Sequence, residues 1–132
     1  MLVRIDYNSD EAFYVQLKNQ IIMGIATSEI QEGESLPSVR DLADLIGINM
    51  HTVNKAYSIL RQEGYLKLDR RKGAVVSLTP DRERAIEEIR FLLKSVVARA
   101  LCRDLNKAEI HAILDEVLCE FDDIRSSTYE KQ

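Results

Sequence analysis

Cationic and hydrogen-bonding side chains concentrate in the middle of this 132-residue chain. Between Arg40 and Lys72, seven Lys or Arg residues stand against four Asp or Glu residues, a local net charge of +3, whereas the whole chain carries −4. Lys and Arg bind phosphate oxygens, and amide side chains hydrogen-bond to base edges. The segment therefore predicts an anionic partner, while the acidic whole excludes a generally polybasic nucleic-acid or membrane coat.

No comparable set of residues predicts catalysis. The sequence contains no Ser/His/Asp triad, P-loop or glycine-rich nucleotide fingerprint. His111, Asp115 and Cys119 share one side of a predicted helix, but polar residues that border an apolar stripe are the simpler interpretation. We therefore expect no enzyme activity, no metal site and no cofactor, and we expect the two cysteines to be reduced thiols.

Two short helices position part of the basic segment. Ser38 can cap the first, which Gly47 ends, and Asn49 can cap the second, which runs to Glu63 before Gly64. Two helices joined by a tight turn that contains glycine form a helix-turn-helix, here over residues 38–63.

The second of these helices has a polar face without a carboxylate until Glu63. At 100° per residue, a core stripe of Val53, Ala56, Tyr57 and Leu60 lies opposite that face. Tyr57 is expected in the core, with a hydroxyl that could reach a phosphate. The polar face and its flanks hold His51, Thr52, Asn54, Lys55, Ser58 and Gln62. Because a solvated face usually mixes in Glu and Asp, this composition favours an anionic partner.

A hairpin with a basic tip follows the helix-turn-helix. The strands are predicted over 65–69 and 74–78, and Arg70, Arg71, Lys72 and Gly73 form the tip. After a helix-turn-helix, such a hairpin is typical of a wing. An earlier helix is predicted from about Asp10 to Ser28, with a cap from residues 8–10 and close packing at Gly24, and residues 29–35 are expected to form a loop.

Two further helices form the tail. Thr79 and Pro80 are predicted to start one that runs to about Arg103, and Asn106 with Glu109 starts another, which is expected to fray over 126–132. Their apolar stripes are too broad for a helical pair to bury alone, so we favour a symmetric dimer over a tail that caps its own domain. The predicted interface comprises Ile86, Ile89, Leu93, Val96, Ile110, Ile113, Leu114, Val117 and Phe121.

Three ordered motifs resemble the GntR family of bacterial transcription regulators, in its short YtrA-like branch. They are Leu36-Pro37-Ser38-x-Arg40-x-Leu42-Ala43, Thr52-Val53-x-x-Ala56-Tyr57 and Glu63-Gly64. The resemblance implies a mainly α chain with a small β-hairpin wing. A winged helix-turn-helix domain would span 1–79, and a two-helix dimerisation tail 80–132. It also implies that the third helix enters the major groove and that the wing lies on the adjacent minor groove.

The resemblance assigns Arg40 to a phosphate or base, Thr52 to a phosphate and Gly73 to the wing. Met50 stands where many members carry Arg or Pro, so base reading is expected from His51, Asn54 and Lys55. Arg71 replaces a wing glycine, so Arg70, Arg71 or Lys72 is expected to substitute for that glycine at the minor groove. The predicted DNA-binding set is Ser38, Arg40, Asn49, His51, Thr52, Asn54, Lys55, Arg70, Arg71, Lys72 and Gly73.

These observations predict a cytoplasmic repressor that binds an inverted-repeat operator in double-stranded DNA as a homodimer. The chain has no apolar run long enough for a membrane helix. The alternative is a winged-helix module that binds proteins without sequence-specific DNA binding. The sequence leaves open whether a small-molecule effector exists.

Overall fold

The structure is a computed structural model that describes the backbone of residues 3–130 and the side chains of residues 3–128. It is mainly α with one two-stranded antiparallel hairpin, which confirms the predicted fold class. The elements in chain order are α1 (Phe13–Ala26), α2 (Val39–Ile46), α3 (Met50–Gln62), β1 (Leu66–Asp69), β2 (Gly73–Val76), α4 (Arg82–Cys102) and α5 (Lys107–Glu130). The chain divides into two compact units, one up to Thr79 and one from Pro80 on.

The first helix begins later than its sequence predicts. It starts at Phe13, and Ala12 precedes it without a side-chain cap, so the predicted capping by residues 8–10 is wrong. The reason is a buried amide further along the chain: Gln16 Oε1 accepts the Asp6 N–H at 2.9 Å, and Gln16 Nε2 donates to the carbonyls of Asp6 and Glu11. These bonds hold residues 6–11 in a turn instead of a first helical turn.

Local capping sets the helix-turn-helix. Ser38 Oγ accepts the Asp41 N–H at 3.1 Å, and Asn49 Oδ1 accepts the His51 N–H at 2.7 Å. Gly47 takes the left-handed conformation between the helices, at φ 73°. All three predictions are confirmed, and α3 ends at Gln62, one residue earlier than predicted.

The core of the first unit forms around α3. Val53, Ala56 and Leu60 are fully buried and Tyr57 nearly so, which confirms the predicted stripe. The other elements contribute Leu17, Ile21, Ile30, Leu36, Leu42, Leu66 and Val76. At Gly24 an added Cβ would lie 2.7 Å from Cδ1 of the buried Ile30, so the close packing predicted there is confirmed.

The hairpin pairs Leu66 with Val76 and Asp69 with Gly73 at its ends. Gly73 therefore begins β2 instead of belonging to the tip, and the predicted strands differ from the observed ones by one or two residues. The far edge of β2 is also paired: Ser35 bridges Val75, and backbone hydrogen bonds join residues 33–36 to it. The predicted loop thus ends as a third extended segment, which anchors the wing.

The second unit consists of α4 and α5. The prediction that Thr79 caps α4 is wrong, because Asp81 Oδ1 accepts the Arg84 N–H at 3.1 Å and the helix begins at Arg82. The Thr79 N–H instead donates to the carbonyl of Gly64, which holds Thr79 in the first unit.

The start of α5 follows the prediction. Asn106 and Glu109 form reciprocal capping bonds at 3.0 and 2.9 Å, which confirms the capping box. The helix continues to Glu130, so the predicted fraying over 126–130 is wrong, and residues 131–132 lie outside the described part. None of the described helices is long and apolar enough to cross a membrane.

Candidate nucleic-acid interface

The exposed side of α3 carries His51, Asn54 and Lys55, and Thr52 is half-buried beside them. At about 100° per residue, Asn54 and Lys55 point in different directions around the helix axis. Asn54 lines a groove beside the wing, whereas Lys55 contacts α1. The predicted base-reading residues thus divide between two flanks of one helix.

Lys55 is held by an aromatic ring that the sequence reasoning missed. Its Nζ lies 4.0 Å from the centre of the Tyr14 ring in α1, a cation–π contact. No sequence signal connects residues 41 positions apart in this way, since only the packing of α1 against α3 brings them together. Tyr14 therefore joins the candidate site as a residue that orients Lys55.

A groove of about 260 Å³ lies between α3 and the wing. It brings together three predicted site residues, Ser38, Asn54 and Gly73. It also contains Arg61 and Lys67, which were counted in the local charge but not in the predicted site. A signal for Arg61 existed, because residues i and i+7 share a helix face and Arg61 follows Asn54 by seven.

The wing tip is ordered by a carboxylate. Asp69 Oδ1 accepts the backbone N–H groups of Arg71 and Lys72 at 2.8 and 2.9 Å. The Lys72 N–H first, and the Arg71 N–H next, hold the pKa of Asp69 below its ordinary value. Arg70, Arg71 and Lys72 have exposed side chains, and none forms an ion pair with another described residue. The fixed turn therefore presents three exposed cations, of which Lys72 is also attracted by the Asp69 carboxylate.

Two predicted site residues also have structural tasks. The side-chain oxygens of Ser38 and Asn49 accept helix N–H groups, so each is engaged as a cap. Arg40 lies exposed on the first turn of α2, two residues after Ser38. Tyr57 donates its hydroxyl proton to the Pro37 carbonyl at 2.8 Å, and burial raises the pKa of Tyr57, which fits the expected core position.

The described residues contain no group of three or more His, Cys, Asp or Glu side chains that could hold a metal ion. His111, Asp115 and Cys119 all lie exposed on α5.

A helix-turn-helix whose second helix leads into a basic hairpin defines a winged-helix DNA-binding domain. Residues 13–76, which contain α1, the helix-turn-helix and the wing, match the family model of bacterial regulatory proteins of the gntR family. The chain belongs to the GntR family.

The likeness to curated relatives extends into the tail. The chain is 29% identical over 119 residues to the HTH-type transcriptional repressor YtrA of Bacillus subtilis (strain 168), which covers 88% of this chain and 92% of the relative. It is 38% identical to the solved structure of YtrA from Sulfolobus acidocaldarius, a GntR-family transcription factor, with a TM-score of 0.55 and coverage of 89% and 97%. The chain is thus similar to YtrA proteins beyond the DNA-binding domain.

A third solved structure is also similar to this chain. A transcriptional antiterminator from Listeria monocytogenes EGD-e superimposes with a TM-score of 0.81 at 28% identity, over 95% of this chain and 93% of that one. Together the family and its relatives identify a transcriptional regulator with a GntR DNA-binding domain, and not an enzyme.

Proposed function

We propose that the chain represses transcription in the cytoplasm by binding, as a homodimer, an inverted-repeat operator in double-stranded DNA. The observation that carries this proposal is the combination of two surfaces. The first unit presents exposed cations on α3 and the wing, and the second presents a long apolar surface. The similarity to a relative named as a repressor supports the direction of regulation.

On the DNA side, α3 enters the major groove and the wing lies on the adjacent minor groove. His51, Asn54 and Lys55 read base edges, and each good contact contributes roughly 1–3 kcal/mol of discrimination. Arg40, Thr52 and the wing cations contact phosphates and release counterions, so the affinity falls steeply with salt. Ser38 and Asn49 use a side-chain oxygen to cap a helix, which leaves the Ser38 hydroxyl proton and the Asn49 amide protons to donate to a phosphate. Gly73 contacts the DNA through its backbone.

For the proposed dimer, the relevant feature is that α4 and α5 leave their apolar side chains exposed to solvent. None of the residues described from 80 to 128 is buried. Seven of the nine predicted interface residues are 40–57% exposed, and the other two, Ile110 and Phe121, are half-buried. An apolar groove of about 590 Å³ runs between the two helices, with Leu93, Val96 and Val117 in its lining.

The net charges of the two helices also favour a second copy of the chain as the partner of this apolar surface. The α4 helix carries five Lys or Arg against three Asp or Glu, whereas α5 carries two against seven. In a two-fold dimer, α4 of one copy can therefore face α5 of the other with favourable charge. A two-fold dimer also presents two α3 helices to two inverted half-sites.

Selection of bound sequences from random duplex DNA tests the proposal. We expect a palindromic consensus with half-sites roughly 10 base pairs apart, or a multiple of that spacing. Arg40→Ala and Lys55→Ala should weaken binding to the selected duplex, whereas the matched charge removal Arg4→Ala should not. Transcription in vitro from a promoter that overlaps the duplex should then decrease as protein is added.

Two results would contradict the proposal. Failure to enrich any sequence at low salt would favour the protein-binding alternative. Enrichment of one half-site without an inverted copy would contradict the two-fold dimer while leaving DNA binding intact.

A further inference from the structure

We propose that the groove between α3 and the wing grips the sugar–phosphate backbone of one DNA strand, with Arg61 and Lys67 as its phosphate-binding residues. The inference rests on the proposed binding of duplex DNA and adds a backbone site between the two groove contacts. The motif resemblance assigns a role to neither residue.

The position of the groove dictates the part of DNA that it meets. A helix in the major groove and a wing on the adjacent minor groove must straddle the strand that separates these grooves. Only the sugar–phosphate backbone lies on that dividing line. The groove between α3 and the wing therefore faces phosphates and deoxyriboses, whatever the base sequence.

Both cations of the groove are exposed to solvent and can reach a phosphate, although Lys67 is also attracted by the Asp69 carboxylate on the same strand. Arg61, on the last turn of α3, and Lys67, on β1, line the same groove from opposite sides, and both are exposed. Among the described residues, neither forms an ion pair, in contrast to Lys18, which pairs with Glu63 at 3.7 Å. The nearby polar groups of Asn54 and Ser58 add donors on the α3 side.

The apolar part of the groove fits the sugar. Leu68 is 70% exposed on β1, although contact of an apolar leucine side chain with water is unfavourable. It lines the groove together with Val39 and Ala74. Cations beside an exposed apolar patch match a phosphate beside a deoxyribose, which presents C–H groups between its phosphates.

Three variants of the full chain test the site by their salt dependence. Arg61→Gln and Lys67→Gln should each lower the slope of log affinity against log salt by about 0.9 per bound copy. The ratio of wild-type to variant affinity should then fall about 3.5-fold per bound copy between 50 and 200 mM salt. Leu68→Ala should weaken binding without changing the slope, because it removes no charge.

The matched control is Arg4→Gln, which removes one charge from the segment before α1. Arg4 lies on a different surface, beside Asp6 and Glu11. We expect its slope to equal that of the wild type. Thermal unfolding of each variant checks that the fold is retained, which is expected because Arg61, Lys67 and Leu68 are all exposed.

Backbone chemistry gives a second readout. Neutral methylphosphonate linkages, placed singly along the selected duplex, should weaken wild-type binding at the phosphate between the two grooves. At that same linkage they should have less effect on the binding of Arg61→Gln or Lys67→Gln. The affinity that Arg61→Gln or Lys67→Gln loses should be equal on the selected duplex and on an unrelated duplex, since phosphates carry no sequence information.

Two outcomes overturn the inference while the proposed function stands. The wild type could bind its duplex while both Gln variants keep the wild-type slope. Alternatively, the variants could lose affinity for the selected duplex alone, which would make these residues base readers. If the wild type binds no duplex, the proposed function itself fails.

Discussion

Truncation of Leu93 to alanine tests the dimer through the α4 surface. Leu93 is on the predicted interface stripe, lines the apolar groove of the second unit and is 43% exposed. The change removes three carbons, each worth about 0.8 kcal/mol when fully buried. Because only the exposed fraction becomes buried on association, the loss is about 1 kcal/mol per copy and about 2 kcal/mol per dimer. Dimerisation should therefore weaken about 30-fold.

Sedimentation velocity over a dilution series measures this effect. Leu45→Ala is the matched control, because Leu45 is 73% exposed but lies on α2, outside the second unit. Leu114→Ala, on α5 and 44% exposed, should weaken the dimer about as much as Leu93→Ala does. Far-ultraviolet circular dichroism checks that the helices remain.

Three results would refute the reasoning about the tail. The wild type could sediment as a monomer at every concentration. Leu93→Ala could dimerise as well as the wild type does. Finally, Leu45→Ala could weaken the dimer as much as Leu93→Ala, which would place the interface elsewhere.

Three further predictions concern the first unit. Gly64→Ala should lower the free energy of unfolding in urea by about 1–2 kcal/mol, because φ is 88° and the new Cβ would lie 3.0 Å from Thr79 Oγ1. Gly33→Ala, also at a φ of 88° but with open space around the new Cβ, should lower it less. Equal losses for the two variants would contradict a steric contribution from Thr79. Since the folded pKa of Asp69 is below 3.8, its turn should be complete above that pH and lost as pH falls through the lower folded value. Amide chemical shifts of the wing tip report this loss, and Asp69→Asn should abolish the titration. Tyr57→Phe should cost about 0.5–1.5 kcal/mol of stability and leave the affinity for DNA unchanged, whereas weaker binding at every salt concentration would reveal a phosphate contact.

Features that depend on neighbouring residues could be predicted from the sequence. The caps at Ser38, Asn49 and Asn106 each bind an N–H two or three positions away, so the local residue types suffice to place them. The core stripe of α3 follows from helix periodicity for the same reason. The fold class and the helix-turn-helix could accordingly be predicted from the sequence.

Features that depend on tertiary contacts could not be predicted. The start of α1 depends on Gln16, whose amide binds Asp6 ten positions earlier. The start of α4 depends on Gly64, whose carbonyl holds Thr79. In the candidate site, the contact of Lys55 with Tyr14 arises only when distant elements pack, and periodicity carries no information about which elements do so.

The distribution of charge explains how an acidic chain can be a DNA-binding protein. Residues 1–39 carry two Lys or Arg against six Asp or Glu, a net charge of −4, while residues 40–72 carry +3. DNA is therefore repelled by the first segment and attracted by α3 and the wing. Such an asymmetric field orients the protein during its approach and raises the rate of productive encounters, an effect that salt suppresses. The carboxylates of residues 1–39 and of α5 thus contribute to the selectivity of the surface that docks, because an approach to DNA through either of them is repelled.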